Sequence, residues 1–476
     1  MRSARQQGIR TRIPPWSKRI LALGAVCIAI VAILVTQPHW AVRPLAPFIC
    51  PSAIYAFETD TPAIALTIDD TPNADPAITT AILDLLAAEH VRATFFVIAD
   101  NITPANRPLL KRMATEHEIG NHLATDNRSI ALGSAAFAAE VERFEVGLAN
   151  LSHPRWLRPG GGFCDRVMAE IARDRGYELA LASVWPYDTF GLLSQRRWFP
   201  AFATWQLGWG DRSGAILVLH DGGKRGAQTL AVLKQVLAQF EDNYRFVTLS
   251  DLAAASNSKV EVATEPLPNW LEFYYRRLLL GVITPPPSSA WRGLVLFVWL
   301  PAAGVWLWLG FRSGWLTVEL AIPRGRGLSS IGFFLWTPIR VFFVPSFAEE
   351  CLMRGLLLPS AAELANGAIA APTAAQLFAQ CLGSLAIYVF SHPLVGALID
   401  RLSRNPDSNY GATFRQPVFL VSVAVLGSAS TVTFLETHSL WPPVLIHALV
   451  VSIWLLFLGG DRQLNGKPRF KQVRSI

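Results

Sequence analysis

The sequence predicts an α/β domain joined to an all-α membrane part, and three observations predict it. Hydrophobic residues make up 51% of the 476 positions and charged ones only 16%, against roughly 25% charged in soluble globular proteins, so much of the chain faces lipid or a large core. Between about residues 62 and 252, short β-like runs alternate with amphipathic stretches, which is the pattern of parallel β/α units. Beyond residue 290, apolar runs recur that are long enough to cross about 30 Å of hydrocarbon.

In chain order, residues 1–19 carry Arg2, Arg5, Arg10, Arg12, Lys18 and Arg19 without an acidic side chain, and the apolar run 20–36 follows. That run exceeds the roughly 7–15 residues of a cleavable signal core and lacks a small-x-small site after it, so 1–37 reads as a cytoplasmic basic tail and uncleaved anchor. A linker spans 38–59. In the α/β domain, 60–255, strands are expected at 63–68, 93–98, 179–184, 215–219 and 245–249, and helices at 77–89 and 229–240. Segment 256–290 reads as linker and interfacial. The membrane domain, 291–460, is expected to cross at 291–311, 328–347, 374–395, 416–434 and 441–458, making six spans with the anchor. Alternation then puts the basic stretches 312–326, 401–415 and 462–474 inside, with 461–476 as a basic cytoplasmic tail. It also puts 38–290 outside. The expected setting is a bacterial plasma (inner) membrane, multi-pass, with the α/β domain extracytoplasmic or periplasmic and both termini cytoplasmic.

Basic residues that follow topology explain the net charge of +7 and exclude nucleic acid as the reason for it; the partner they indicate is the lipid bilayer, as do the 16 Trp. Five Cys without C-x-x-C spacing argue against a zinc ribbon, a redox motif or a disulfide framework. A bridge between Cys50 and Cys164, both outside the membrane, is open but not expected.

The run 63–68 ends in Asp69-Asp70-Thr71-Pro72, so two carboxylates emerge at the C-terminal edge of a parallel sheet, where β/α barrels build active sites. An Asp-Asp pair alone is more often a solvated turn. Further signals follow it, however. His122 and Asp126 stand at i and i+4, one turn apart if helical, as a metal clamp requires. His220 ends another strand, in Leu217-Val218-Leu219-His220-Asp221.

Together these residues resemble the polysaccharide deacetylase family, whose ordered motifs are T-F-D-D-G-P, H-[ST]-x-x-H, R-x-P-Y-G, a Trp/Asp motif and L-x-L-H-D. The resemblance implies a distorted (β/α) barrel, an N-acetylated glycan as substrate, and one divalent metal, with Zn expected and Co or Mn possible. It makes Asp69 the general base and Asp70, His122 and Asp126 the metal ligands. Arg158, in Arg158-Pro159-Gly160-Gly161-Gly162, would orient the base, Gly161 would offer a backbone oxyanion donor, Asp188 would hold Arg158, and His220 would protonate the leaving amine. Two departures carry consequences. Asp126 stands where the family has a second His, making the ligand set harder, and Gly160-Gly161 replaces Pro-Tyr, which is expected to widen the sugar cleft.

In the membrane part, Glu349, Glu350 and Arg354 fall within six positions, and His392 and His447 lie in two other apolar runs. Ionisable groups there are functional candidates. The set resembles the CPBP intramembrane proteases, relatives of the CAAX prenyl proteases, with motifs E-E-x-x-x-R, F-x-x-x-H and H-x-x-x-[NB]. The resemblance implies water activation by Glu349, Glu350, His392 and His447 without an obligatory metal, Arg354 pairing with a carboxylate, and a membrane protein or peptide as substrate. Tyr388 stands for Phe, and Val451 replaces the polar residue one turn after His447. An alternative reading keeps both folds but makes the outer domain a non-catalytic glycan-binding sensor coupled to the intramembrane endopeptidase.

Overall fold

The computed structural model describes residues 15–148, 151–256, 260–262, 268–321, 328–364, 372–403 and 405–465. The basic positions of 1–14, parts of the 256–290 linker and of the 312–326 stretch, and most of the C-terminal tail lie outside them. The chain divides into two compact units, one of residues 1–129 and 136–267, the other of 130–135 and 268–476.

In the first unit, β1 (Ile54–Phe57) pairs antiparallel with β9 (Val260–Val262). The main sheet holds β2 (Ala63–Thr71), β3 (Thr94–Val97), β4 (Glu118–Asn121), β5 (Trp156–Leu157), β6 (Glu178–Leu179), β7 (Ile216–His220) and β8 (Arg245–Val247). All pairings in it are parallel, in the order β6-β5-β4-β3-β2-β7 with β8 also on β2. A parallel bridge between Val184 and Leu217 brings the chain beyond β6 onto β7 at the opposite edge, so the sheet curls towards closure. This is the distorted barrel that the sequence implied.

Alternation along β2 explains why it is apolar throughout. Ile64, Leu66 and Ile68 face a core shared with Ile82, Leu83 and Leu86 of α2 (Pro76–Ala88). Ala63 and Ala65 face a second core with Phe96, Trp156 and Ile216. Parallel strands buried on both faces read this way. The expected 179–184 strand is only two residues long because Arg158 takes its acceptors: Nε donates to Ala180 O (3.0 Å) and Nη2 to Leu181 O (3.1 Å). Cys50 and Cys164 do form a disulfide, a correction to the sequence reading; two cysteines separated by 114 positions leave no local spacing signal.

In the second unit, three helices among the described residues are long and apolar enough to cross a membrane: Ala290–Arg312, Ala374–Leu402 and Pro417–Thr437. Trp441–Phe457 is apolar but shorter. The run expected to span 328–347 is interrupted. Its helix ends at Val341, Val344 is extended (φ −141°), and Pro345 follows, before helical turns resume at Ala348–Glu350. The N-terminal helix α1 (Pro15–Thr36) has 22 residues; the side chains of its first ten lie outside the described set.

Candidate active sites

The C-terminal edge of the curled sheet collects most of the predicted groups. β2 delivers Asp69 and Asp70, each no more than 3% exposed. Asp70 adopts a left-handed φ of +61°, which Asp tolerates better than most residues. Pairing of Asp69 with His220 across β2 and β7 sets the two strand ends level. Behind them Arg158 (3% exposed) donates from Nη1 to Asp69 Oδ1 (2.7 Å) and to Thr67 Oγ1 (2.7 Å), with its guanidinium over the Phe96 ring at 4.1 Å.

His122 Nδ1 lies 2.8 Å from the Arg158 carbonyl. A carbonyl only accepts, so Nδ1 carries the proton and Nε2 presents a lone pair. That Nε2 stands 3.4 Å from Asp70 Oδ1 and 4.0 Å from Asp69 Oδ2. Two ligand atoms each about 2.0–2.1 Å from a tetrahedral ion stand about 3.3–3.4 Å apart, so Asp70 and His122 fit a divalent ion.

Asp126 does not join them. The 122–126 segment is a loop rather than a helix, with Leu123 at φ +68°, so i+4 spacing does not stack Asp126 over His122. Its side chain is 65% exposed and meets Arg225 Nη2 at 3.8 Å. Among the described residues no group of three His, Cys, Asp or Glu side chains is close enough to share a metal. The guanidinium of Arg225 instead lies between the carboxylates, 2.8 Å from Asp70 Oδ2. Sequence reasoning did not single out this arginine.

Asp188 also has a different partner from the one expected. It does not hold Arg158, whose donors go to Asp69, Thr67 and two carbonyls. Asp188 holds His220: Oδ1 accepts from Nδ1 at 2.9 Å and Oδ2 from the backbone N–H at 2.8 Å. His220 Nε2 then faces Asp69 Oδ2 at 3.9 Å. Burial alone would lower the His220 pKa, but Asp188, then Asp69 and Asp70, outweigh it and push it up to about 9. For Asp70 burial acts upward, yet the hydrogen bond and charge of His122, with His220 and Arg225, hold it well below the usual carboxylate range.

Asp221 staples the loop after β7. Fully buried, it accepts from Asn73 N–H (3.2 Å) and closely from Thr79 Oγ1, and burial pushes its pKa up to about 6 against those bonds. Gly222 is needed there, because a Cβ on it would lie 2.9 Å from Asp70 Cβ. At the other glycines the expected widening is not what the backbone does. A Cβ on Gly160 would meet Asn127 O at 2.1 Å, so the 127–128 backbone closes onto the space. Gly160 N–H donates to Ser129 Oγ and Gly162 N–H to Pro159 O. Gly161, at φ +70°, is left with no protein acceptor for its N–H among the described bonds.

In the second unit Glu349, His392 and His447 line a cavity of about 600 Å³ together with Tyr388, Phe419 and Trp454, among others. Glu350 and Arg354 are fully buried. Glu350 Oε1 meets His447 Nδ1 at 2.9 Å and Oε2 meets Arg354 Nη1 at 3.3 Å, while Arg354 Nη2 donates to Gly427 O at 2.7 Å. His392 Nδ1 bonds the Tyr388 carbonyl at 2.7 Å. Both imidazoles therefore turn Nε2 towards Glu349 Oε2, at 3.8 and 3.9 Å. Val451 also lines the cavity.

Comparisons with known proteins agree with both halves. Residues 57–180 match the family Polysaccharide deacetylase, and residues 331–453 match the family Type II CAAX prenyl endopeptidase Rce1-like. A peptidoglycan-N-acetylglucosamine deacetylase of Bacillus cereus is 34% identical over 202 residues, covering 40% of this chain and 87% of that protein. A chitooligosaccharide deacetylase of a Bradyrhizobium species is 44% identical over 174 residues, covering 35% and 74%. A crystal structure of a peptidoglycan N-acetylglucosamine deacetylase aligns at 25% identity and a TM-score of 0.37, covering 42% of this chain and 91% of that one. The chain belongs to the polysaccharide deacetylase family, with an Rce1-like segment following in the same polypeptide.

Proposed function

We propose that the first unit is a metal-dependent hydrolase that removes N-acetyl groups from an N-acetylglucosamine-type glycan outside the cytoplasm, and that α1 anchors it in the membrane. The observation that carries this reading is the meeting of Asp69, Asp70, His122 and His220 at one sheet edge, with Asp69, His122 and His220 each oriented by a buried partner. The names of the relatives supply the substrate class.

Asp70 and His122 would hold the ion. Such an ion supplies a Lewis acid that makes water more acidic. Asp69, its charge balanced by Arg158, takes the proton of the attacking water. The unpaired Gly161 N–H donates to the carbonyl oxygen as negative charge develops, a contribution of about 3 kcal/mol for one such donor. His220, charged through Asp188, gives its Nε2 proton to the nitrogen as the C–N bond breaks, releasing acetate and a free amine. The test is acetate release by the full chain from N-acetylated glycans, after chelation and after adding Zn²⁺, Co²⁺ or Mn²⁺. Release that no metal affects, or no release from any glycan, would overturn the reading.

A second activity is supported by the cavity around Glu349. His392 and His447 leave both Nε2 atoms facing its carboxylate at a spacing that one water bridges, an arrangement suited to general-base attack on a peptide bond. Its test is Glu349→Gln, expected to stop cleavage of a membrane-protein substrate while acetate release continues.

A further inference from the structure

The short helix α6 (Phe199–Leu207) is apolar on two sides. One side is core, with Phe199, Ala203 and Leu207 buried. On the other, Trp198, Phe202, Trp205 and Trp209 follow one another at i, i+4, i+7 and i+11, and their rings touch in sequence at 5.8, 6.1 and 5.5 Å. Three of these, Trp198, Trp205 and Trp209, are about half exposed, and Leu192 just before them is 82% exposed. A soluble helix shows one apolar stripe, not two. From 189 to 210 there is no acidic residue, while Arg196 and Arg197 are exposed.

The neighbour of this face identifies what covers it. A helix leaves its last four carbonyls without intrahelical donors. At the C-terminal end of α1 side chains of the catalytic unit fill that need. Tyr187 Oη donates to Leu34 O (2.6 Å), Gln206 Nε2 to Val35 O (2.7 Å), and Arg212 to Thr36 O (2.7 Å) and Gln37 O (3.1 Å). The Gln37 amide in turn makes two bonds to the Trp185 backbone, 2.7 and 2.9 Å. Gln206 belongs to α6 itself, so α6 lies level with the C-terminal end of α1.

We propose that the aromatic stripe of α6 and the preceding 189–198 segment rest in the headgroup layer of the same bilayer that α1 enters. The inference relies on α1 being membrane-embedded. Indole rings favour that layer, and the two arginines suit anionic headgroups. Docking there would hold the active-site edge at a fixed height, because Asp188, which orients His220, lies in the same loop as Tyr187.

The test places a nitroxide at single cysteines of the full chain in lipid nanodiscs containing anionic phospholipid, with Cys27, Cys351 and Cys381 replaced by Ser. Collisions with oxygen, which partitions into lipid, are compared with collisions with a water-soluble nickel chelate. Val31→Cys on α1 is expected to favour oxygen and Val146→Cys, 73% exposed elsewhere on the unit, nickel, with Trp205→Cys giving an oxygen-to-nickel ratio between the two. Should position 205 favour nickel as fully as position 146 while position 31 favours oxygen, the surface faces water and the proposal falls with the anchor intact. If position 31 also favours nickel, the anchor reading fails and takes the proposal with it. Exclusion of both reagents at 205, with dipolar broadening between labels, would assign the face to a second copy of this chain and overturn the proposal.

Discussion

Asp188→Asn removes the charge that tunes His220 and leaves the side chain's shape in place. The carboxylate stands 2.9 Å from His220 Nδ1, with the two side chains 2% and 16% exposed. At an effective dielectric constant of about 20, opposite charges so placed attract by roughly 6 kcal/mol, equivalent to about four pKa units. The amide keeps a hydrogen bond, and Asp69 and Asp70 still act upward, so a net fall of about two units or more is expected, towards or below neutrality. The assay is kcat/KM for acetate release across the pH range. Its alkaline limb, where His220 loses its proton, should move down by that amount. Stability gives an independent sign. A histidine raised from 6.5 to about 9 stabilises the fold fully below its unfolded pKa and loses that contribution as pH rises through 9. The difference of about 2.5 units corresponds to at most ~3.4 kcal/mol. The metal-free variant should therefore lose more stability at pH 6 than at pH 10. An unmoved alkaline limb would refute His220 as the proton donor tuned by Asp188.

Other perturbations have distinct signatures. Arg225→Ala removes the internal cation that pairs with Asp70; calorimetric titration should show a few-fold tighter Zn²⁺ binding, the equivalent of about 1 kcal/mol for a partly exposed pair, and weaker binding would mean that Arg225 supports the site. Glu350→Gln strands the fully buried Arg354 and should destabilise the second unit by about 3–5 kcal/mol, whereas Glu349→Gln, more exposed and without such a partner, should leave thermal unfolding nearly unchanged. Replacing Cys50 and Cys164 by Ser opens a loop of over a hundred residues and should cost up to about 4.7 kcal/mol, seen as a lower unfolding temperature under oxidising but not reducing conditions.

Where an element's burial is set by its own residues, the sequence announced it. β2 and β7 are apolar because both faces are buried, and α2 begins where Asp75 caps the Ala77 N–H with Pro76 in the first turn. What was hidden depends on distant partners. The 179–184 run could not become a full strand because Arg158, twenty-odd positions earlier, takes its carbonyls. Motif order placed Asp188 in the site, but the resemblance gave it Arg158 as partner where the structure gives it His220. Spacing placed Asp126 one turn from His122 only on the premise of a helix, and a left-handed Leu123 removes it. The break at Val344 and Pro345 lies inside a run whose hydropathy alone reads as continuous.

Asp69 as the base of an amide hydrolase is the central requirement of the proposed chemistry. Acetate release should be measured for wild-type full chain and Asp69→Asn side by side, with bound metal quantified in both. Comparable metal is expected in the two, since Asp70 and His122 are untouched, with acetate from wild type alone. Equal acetate release by Asp69→Asn, or none by metal-loaded wild type, would contradict it.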